Sequence, residues 1–275
     1  MMLLLLLAAC SDPAPPTVVA PPPAPSALEV THTRLSKTEG GRLLLQAIDG
    51  HGGLEPWMAA GSLAFDFDYA PVGAPEKRRY ARTQADLRGR RAVQTELGEG
   101  ADAKLGWDGQ DAWIVPDASA FPSPPRFWAT TPLYFVGLPW VLADPGTIHT
   151  VLPATVIPET GETRPLPTLK VTYEAGTGDA PDDFYVLHLD PDSKRILAVR
   201  YIVTFPAFFP EGGHSPEKVL LWSDVEEAGG LWFATHYNSH GWNGGDLSPL
   251  TTTVDVANIV LGDALPDAIF SAPAP

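Results

Sequence analysis

Apolar and polar positions alternate most regularly between Ser62 and Tyr69. Leu63, Phe65, Phe67 and Tyr69 fall on one side, and Ala64, Asp66 and Asp68 on the other. A period of two with one wet face is the habit of an antiparallel strand. The same reading predicts strands over Arg79–Arg88 and Ala92–Glu96. It also predicts a hairpin of Lys104–Trp107 and Ala112–Val115 about Asp108-Gly109, a dipeptide suited to tight turns. Downstream, strands are expected at Leu169–Glu174, Asp183–Leu189, Lys194–Phe205, Lys218–Val225, Leu231–Ser239 and Thr251–Leu261. The turn Asp190-Pro191-Asp192-Ser193 joins two of them into another hairpin.

Two stretches break this rhythm. Ser36–His51 reads as a helix, with Thr38 as N-cap and Leu43, Leu44, Ala47 and Ile48 on one face. Gly50-His51-Gly52-Gly53 ends it. Leu28–Arg34 alternates weakly and reads as a strand or a lead-in, and Glu55–Met58 as a short turn of helix. Phe121–Ala143 is apolar nearly all round and broken by Pro132 and Pro139, the pattern of one or two short helices bent by proline. The fold class is therefore α+β, mainly antiparallel β. A meander of this kind forms one strongly curved sheet or an incomplete barrel, with short helices covering its concave face.

The N-terminus adds an address. Leu3–Ala9 is an apolar run that ends at Cys10, the one cysteine of the 275-residue chain, followed at once by Ser11 and Asp12. Leu7-Ala8-Ala9-Cys10 resembles the lipobox of bacterial lipoproteins, which implies a signal peptide over residues 1–9 and acylation of Cys10. The run is too short to span a bilayer, which takes about 20 apolar residues. By resemblance to the sorting rule of enteric bacteria, Ser11 behind the cysteine favours the outer membrane. Residues 10–27 then form a proline-rich spacer, extended and semi-rigid, and residues 28–275 a single β-rich domain. The net charge of −15 excludes nucleic acid as a partner and disfavours lying flat on anionic lipid. A monomer tethered to the membrane by its anchor is expected.

The order of helix, strands, aromatic insert and strands is similar to that of the LolA/LolB lipoprotein carriers and related outer-membrane lipoprotein-sorting proteins. Four local patterns carry the resemblance across roughly residues 35–266. They are Ala47–Gly53 before Trp57, the turn Gly106–Trp113, the stretch Leu138–Gly146, and the hairpin Asp190–Arg195. The resemblance implies an incomplete barrel with a helical lid over a hydrophobic cavity for acyl chains. Against that pattern, Thr150–Pro167 is expected to be an extra loop.

Catalytic chemistry is not legible in this chain. There is no Gly-x-Ser-x-Gly elbow, and no phosphate-loop lysine accompanies Gly241–Gly245. His236 and His240, with His214 upstream, match no zinc spacing and read as surface or hydrogen-bonded residues, with Gly241 placing His240 in a loop. Asp182-Asp183 and Asp190-Pro191-Asp192 lack calcium-loop spacing, and Glu226-Glu227 reads as part of a wet hairpin. No catalytic residue, metal or cofactor is assigned. The basic run Lys77, Arg78, Arg79, Arg82, Arg88, Arg90 and Arg91 is either a solvated outer face or a docking patch. Phe127, Trp128, Tyr134, Phe135 and Trp140 of the insert, with Phe65, Phe67 and Trp113, are the ligand-binding candidates. Core packing explains them equally well from sequence.

Three functions remain open on this reading. The first is a lipid-anchored envelope protein that binds a hydrophobic ligand (an acyl chain, a lipid or a lipoprotein) without catalysis. The others are a scaffold without ligand, and a hydrolase whose site is assembled from distant residues.

Overall fold

The computed structural model describes residues 24–98 and 101–273. The expected signal peptide, Cys10 and most of the proline-rich spacer lie outside the described residues.

The chain opens with α1 (Ala27–Ser36), where sequence alternation suggested a strand or lead-in. A reciprocal cap decides the matter: Ser26 Oγ accepts the Glu29 N–H, and the Glu29 carboxylate accepts the Ser26 N–H at 2.7 Å. Helix α2 (Glu39–Gly50) starts where expected, with the Gly41 N–H donating to Thr38 Oγ1 at 3.0 Å. A short helix α3 (Leu54–Ala59) leads into β1 (Ser62–Pro71).

The first half-sheet continues through β2 (Arg79–Asp86), β3 (Ala92–Glu96), β4 (Lys104–Trp107) and β5 (Ala112–Val115). In the β4–β5 turn the Asp108 carboxylate accepts the N–H groups of Gln110 and Asp111, both at 2.7 Å, so the connection spans four residues. Helix α4 (Pro125–Val136) carries most of the aromatic insert, and a 3-10 turn at Trp140–Ala143 follows it. The second half contains β6 (Thr147–Thr155), β7 (Leu166–Tyr173), β8 (Tyr185–Leu189), β9 (Ile196–Tyr201), β10 (Lys218–Ala228), β11 (Leu231–Asn243), β12 (Asp246–Leu247) and β13 (Thr252–Gly262).

Two expectations change here. The stretch from Thr150, expected to be an extra loop, begins inside β6, an edge strand that pairs with β7 and is mostly exposed. Its β-branched residues favour extension, but its pairing partner lies some twenty residues on, beyond the reach of local pattern. Strand β11 runs on to Asn243, so His240 is in the ladder, opposite Val219.

All strands described form one antiparallel sheet in the order β5-β4-β3-β2-β1-β13-β11-β10-β9-β8-β7-β6, with β12 paired to β11. The order starts and ends on different strands, so the barrel is not closed. An open sheet beyond about ten strands must curl under its accumulated twist. Inside the curl lies the main core, which includes Leu63, Phe65, Phe67, Leu187, Val199, Phe233, Tyr237 and Val254. Helix α2 packs against β6 and β7, and α4 against β2 to β5. A smaller apolar cluster of Ile157, Leu166, Ala198, Val219 and Trp242 covers part of the outer face.

Candidate functional site

Cross-strand register on β8, β9 and β10 sets out the floor of a cleft. Tyr185 lies opposite Tyr201, and Tyr201 opposite Lys218, making one row on the concave face. The next row on that face is Leu187, Val199 and Leu220. Direct opposition in an antiparallel pair places side chains on the same face, so a polar row borders an apolar one.

Helix α4 roofs this floor. Phe127, Thr131, Tyr134 and Leu138 recur at helical spacing and line the space beneath it, together with Trp128 and Phe135. The Tyr134 ring lies parallel to Tyr185 at 6.5 Å, and Tyr185 to Tyr201 at 6.4 Å. The β9–β10 connection closes one side, with Phe205 and Phe208 edge-on to Phe127 at 5.4 and 5.0 Å. The cleft has a volume of ≈ 580 Å³, within the usual range for ligand pockets.

Polar groups at the margin are mostly matched. Arg126 pairs with Asp179 at 2.6 Å and stacks over Trp107 at 3.9 Å. Arg90 donates to both oxygens of Asp144 at 2.5–3.0 Å. Asp183 accepts from the Thr204 N–H (2.6 Å) and hydroxyl (2.8 Å), and burial raises its carboxyl pKa. Burial also raises the phenol pKa values of Tyr173, Tyr185 and Tyr201, so all three keep their protons at neutral pH. Lys218 differs: among the described residues no carboxylate lies within ion-pair distance of it, and burial lowers its pKa.

The residues singled out from sequence divide into two sets. Phe127, Trp128, Tyr134 and Phe135 line the cavity. Phe65 and Phe67 are buried in the core behind it, Phe67 edge-on to Phe135 at 5.6 Å. Trp140 stacks on Trp57 at 5.1 Å and donates to the Gly53 carbonyl at 2.9 Å. Trp113 turns away to donate to the Phe270 carbonyl at 2.7 Å, its indole filling the space over Gly106 that a Cβ there would occupy. Sequence reading missed Tyr173, Tyr185, Tyr201, Lys218 and Leu220. The available signal was the run Lys218-Val-Leu220-Leu-Trp222, which puts a lysine on an otherwise apolar strand face.

Most of the basic run is engaged within the chain. Arg78 and Arg82 pair with Asp68 and Asp66 on the wet face of β1, the latter at 3.0 Å. Arg91 binds Asp86 at 2.7 Å and Asp267 at 2.8 Å, and Arg79 lies over Trp128. The histidines take separate partners: His236 with Asp255 (2.6 Å), His240 with the Ser248 carbonyl and His214 with the Ser215 carbonyl. Asp190 accepts turn N–H groups of Asp192 and Ser193, and Glu227 that of Gly230. No group of three metal-ligating side chains converges among the described residues.

No family model and no curated protein matches this chain. Solved structures do. A LolA superfamily protein from Nitrosomonas europaea superposes with a TM-score of 0.50 at 11% identity, covering 86% of this chain and 98% of that one. A DUF1329 family protein from Desulfovibrio piger gives 0.51 at 14% identity, covering 84% and 97%. At these identities the likeness is one of fold. The chain has the LolA-like architecture, an open curved antiparallel sheet with helices in its hollow.

Proposed function

We propose that this is a lipid-anchored protein of the bacterial cell envelope that holds the acyl chain of a hydrophobic ligand, without covalent chemistry, in the cavity beneath α4. The ≈ 580 Å³ of aromatic-walled space in the hollow of the sheet carries this reading. A ligand-free scaffold has no physical need for such a space, because an unfilled apolar cleft leaves its lining in contact with water. Burying a ten-carbon chain contributes about 8 kcal/mol before the costs of association and ordering are subtracted, so longer chains and contacts to the head raise the affinity further. The LolA-like fold and the Cys10 motif support an envelope location and outer-membrane anchoring.

The test uses the full-length chain carrying Cys10→Ser, which cannot be acylated. Native mass spectrometry should detect co-purifying lipid, and titration with a fluorescent fatty acid should saturate at one site. Thr131→Trp, which pushes an indole from α4 into the cavity, should weaken that binding by about tenfold or more. A wild-type chain that neither carries nor binds lipid would favour the scaffold.

A further inference from the structure

Lys218 sits where an apolar residue belongs. Its strand neighbours on the concave face are Leu220 and Trp222, and both of those pack into the main core. Across the ladder it faces Tyr201 on one side and Gly241 on the other, so one flank has a ring and the other no side chain. A lysine stem can lie along apolar surface, but it normally carries its ammonium out to water or to a carboxylate. Here the lysine lines the cavity. The carboxylates that also line it are engaged elsewhere: Asp144 with Arg90, Asp179 with Arg126, and Asp183 with Thr204. Among the described residues Lys218 has neither an ion pair nor a hydrogen bond from its side chain. The side chain is half-buried while its ammonium has only solvent for a partner, and an anion delivered by the ligand would pair with it inside the cleft, where water screens the pair less than at the surface.

We infer that Lys218 is the headgroup anchor of the cavity, and that the ligand is a single-chain amphiphile ending in an anion. This rests on the cavity being a lipid site and names its substrate class. The two rows of the floor give the ligand a direction. Its anionic end meets Lys218 in the row of Tyr185 and Tyr201, whose protonated phenols are further donors. Its tail then runs over Val199 and Leu220 toward Leu138 and Val141 under the roof. The protein as a whole carries a charge of −15 and repels anions at long range. A preference for an anionic ligand would therefore have to come from a local contact.

The experiment compares dodecanoate, dodecyl phosphate and dodecanol on the full-length Cys10→Ser chain at pH 8 by isothermal titration calorimetry. The three share one tail, so cavity burial is common to all and only the head differs. Dodecanoate or dodecyl phosphate should bind at least about tenfold tighter than the alcohol, as expected for one charge-assisted contact. Which of the two leads says whether the natural head is a carboxylate or a phosphate. Lys218→Met should bring the acid-to-alcohol ratio to about one, and Lys218→Arg should keep it well above one. Equal binding of acids and alcohol by the wild-type chain would overturn the anchor while leaving the lipid cavity in place. Binding of none of the three would overturn both. A ratio that survives in Lys218→Met would assign the anion to another group and overturn the role of Lys218.

Discussion

Acidification from pH 7 to pH 4 is expected to cost this fold roughly 6 kcal/mol, because two neutral histidines are locked inside it. His51, at the end of α2, is 1% exposed. Its Nδ1 donates to the Trp232 carbonyl at 2.8 Å and its Nε2 accepts the Ile196 N–H at 3.0 Å, so the ring ties α2 to β9 and β11 in one tautomer. Burial holds its pKa down to about 4, and nearby Arg195 adds to the effect. His188 is fully buried on the outer face beside Trp242, and its Nε2 has no hydrogen-bond partner. Burial, with Arg200 close by, lowers its pKa to about 3.

Both folded-state values lie below the ordinary 6.5 of the unfolded chain. Above pH 6.5 neither state binds the protons, and the full stability is present. Below it the unfolded chain takes them up and the folded chain does not, so stability falls as pH falls. The loss is about 1.4 kcal/mol per pH unit for each ring, or roughly 3 kcal/mol each by pH 4. Asp183, whose pKa is raised by burial, works in the opposite sense and trims the total. Urea unfolding followed between pH 7 and pH 4.5 checks this. The midpoint should drop steeply below pH 6.5, and the slope should shrink in His188→Gln. A midpoint that stays level over that range would refute the assignment. Since domains are commonly stable by only 5–15 kcal/mol, the effect is large enough to unfold the protein.

The second large effect is expected at Trp140. Its indole stacks on Trp57 and lies tilted against Phe233, each with ring centroids 5.1 Å away, and it caps the Gly53 carbonyl. It therefore joins the segment after α4 to the α2–α3 corner and to β11. Trp140→Ala should destabilise by about 3–5 kcal/mol, through the lost burial and the cavity left behind. Trp140→Phe keeps most of the packing and should cost about 1–2 kcal/mol, chiefly the carbonyl left unpaired. Chemical denaturation gives both numbers. A loss below about 1 kcal/mol in the alanine variant would mean that the roof of the cavity is not secured at this point.

Much of the architecture was readable before any tertiary information. The Leu63–Tyr69 alternation, the Thr38 cap and the β4–β5 hairpin are all encoded within a few residues, by side-chain period, capping and turn chemistry. α1 and β6 were misread for two different reasons. The capping box at Ser26 and Glu29 outweighs a weak period of two, and an exposed edge strand shows little pattern because only one neighbour constrains it. Within the insert, the apolar character of every face concealed which aromatics look into the cavity and which into the core. Phe127 and Phe135 cannot be told from Trp140 on hydropathy, and their fates part only where α4 crosses the sheet.

The arginines of the basic run make the same point in charge. They cluster in sequence, yet Arg90 and Arg91 find Asp144 and Asp267 across 54 and 176 residues. From the sequence alone came the class of fold, most of its elements in order, the apolar insert and the Cys10 motif, since each is written in neighbouring residues. The curl of the open sheet decided the rest: the hollow under α4, the row of tyrosines, and the isolation of Lys218 opposite Gly241. Those features depend on strands distant in sequence being brought into register, which no local period specifies.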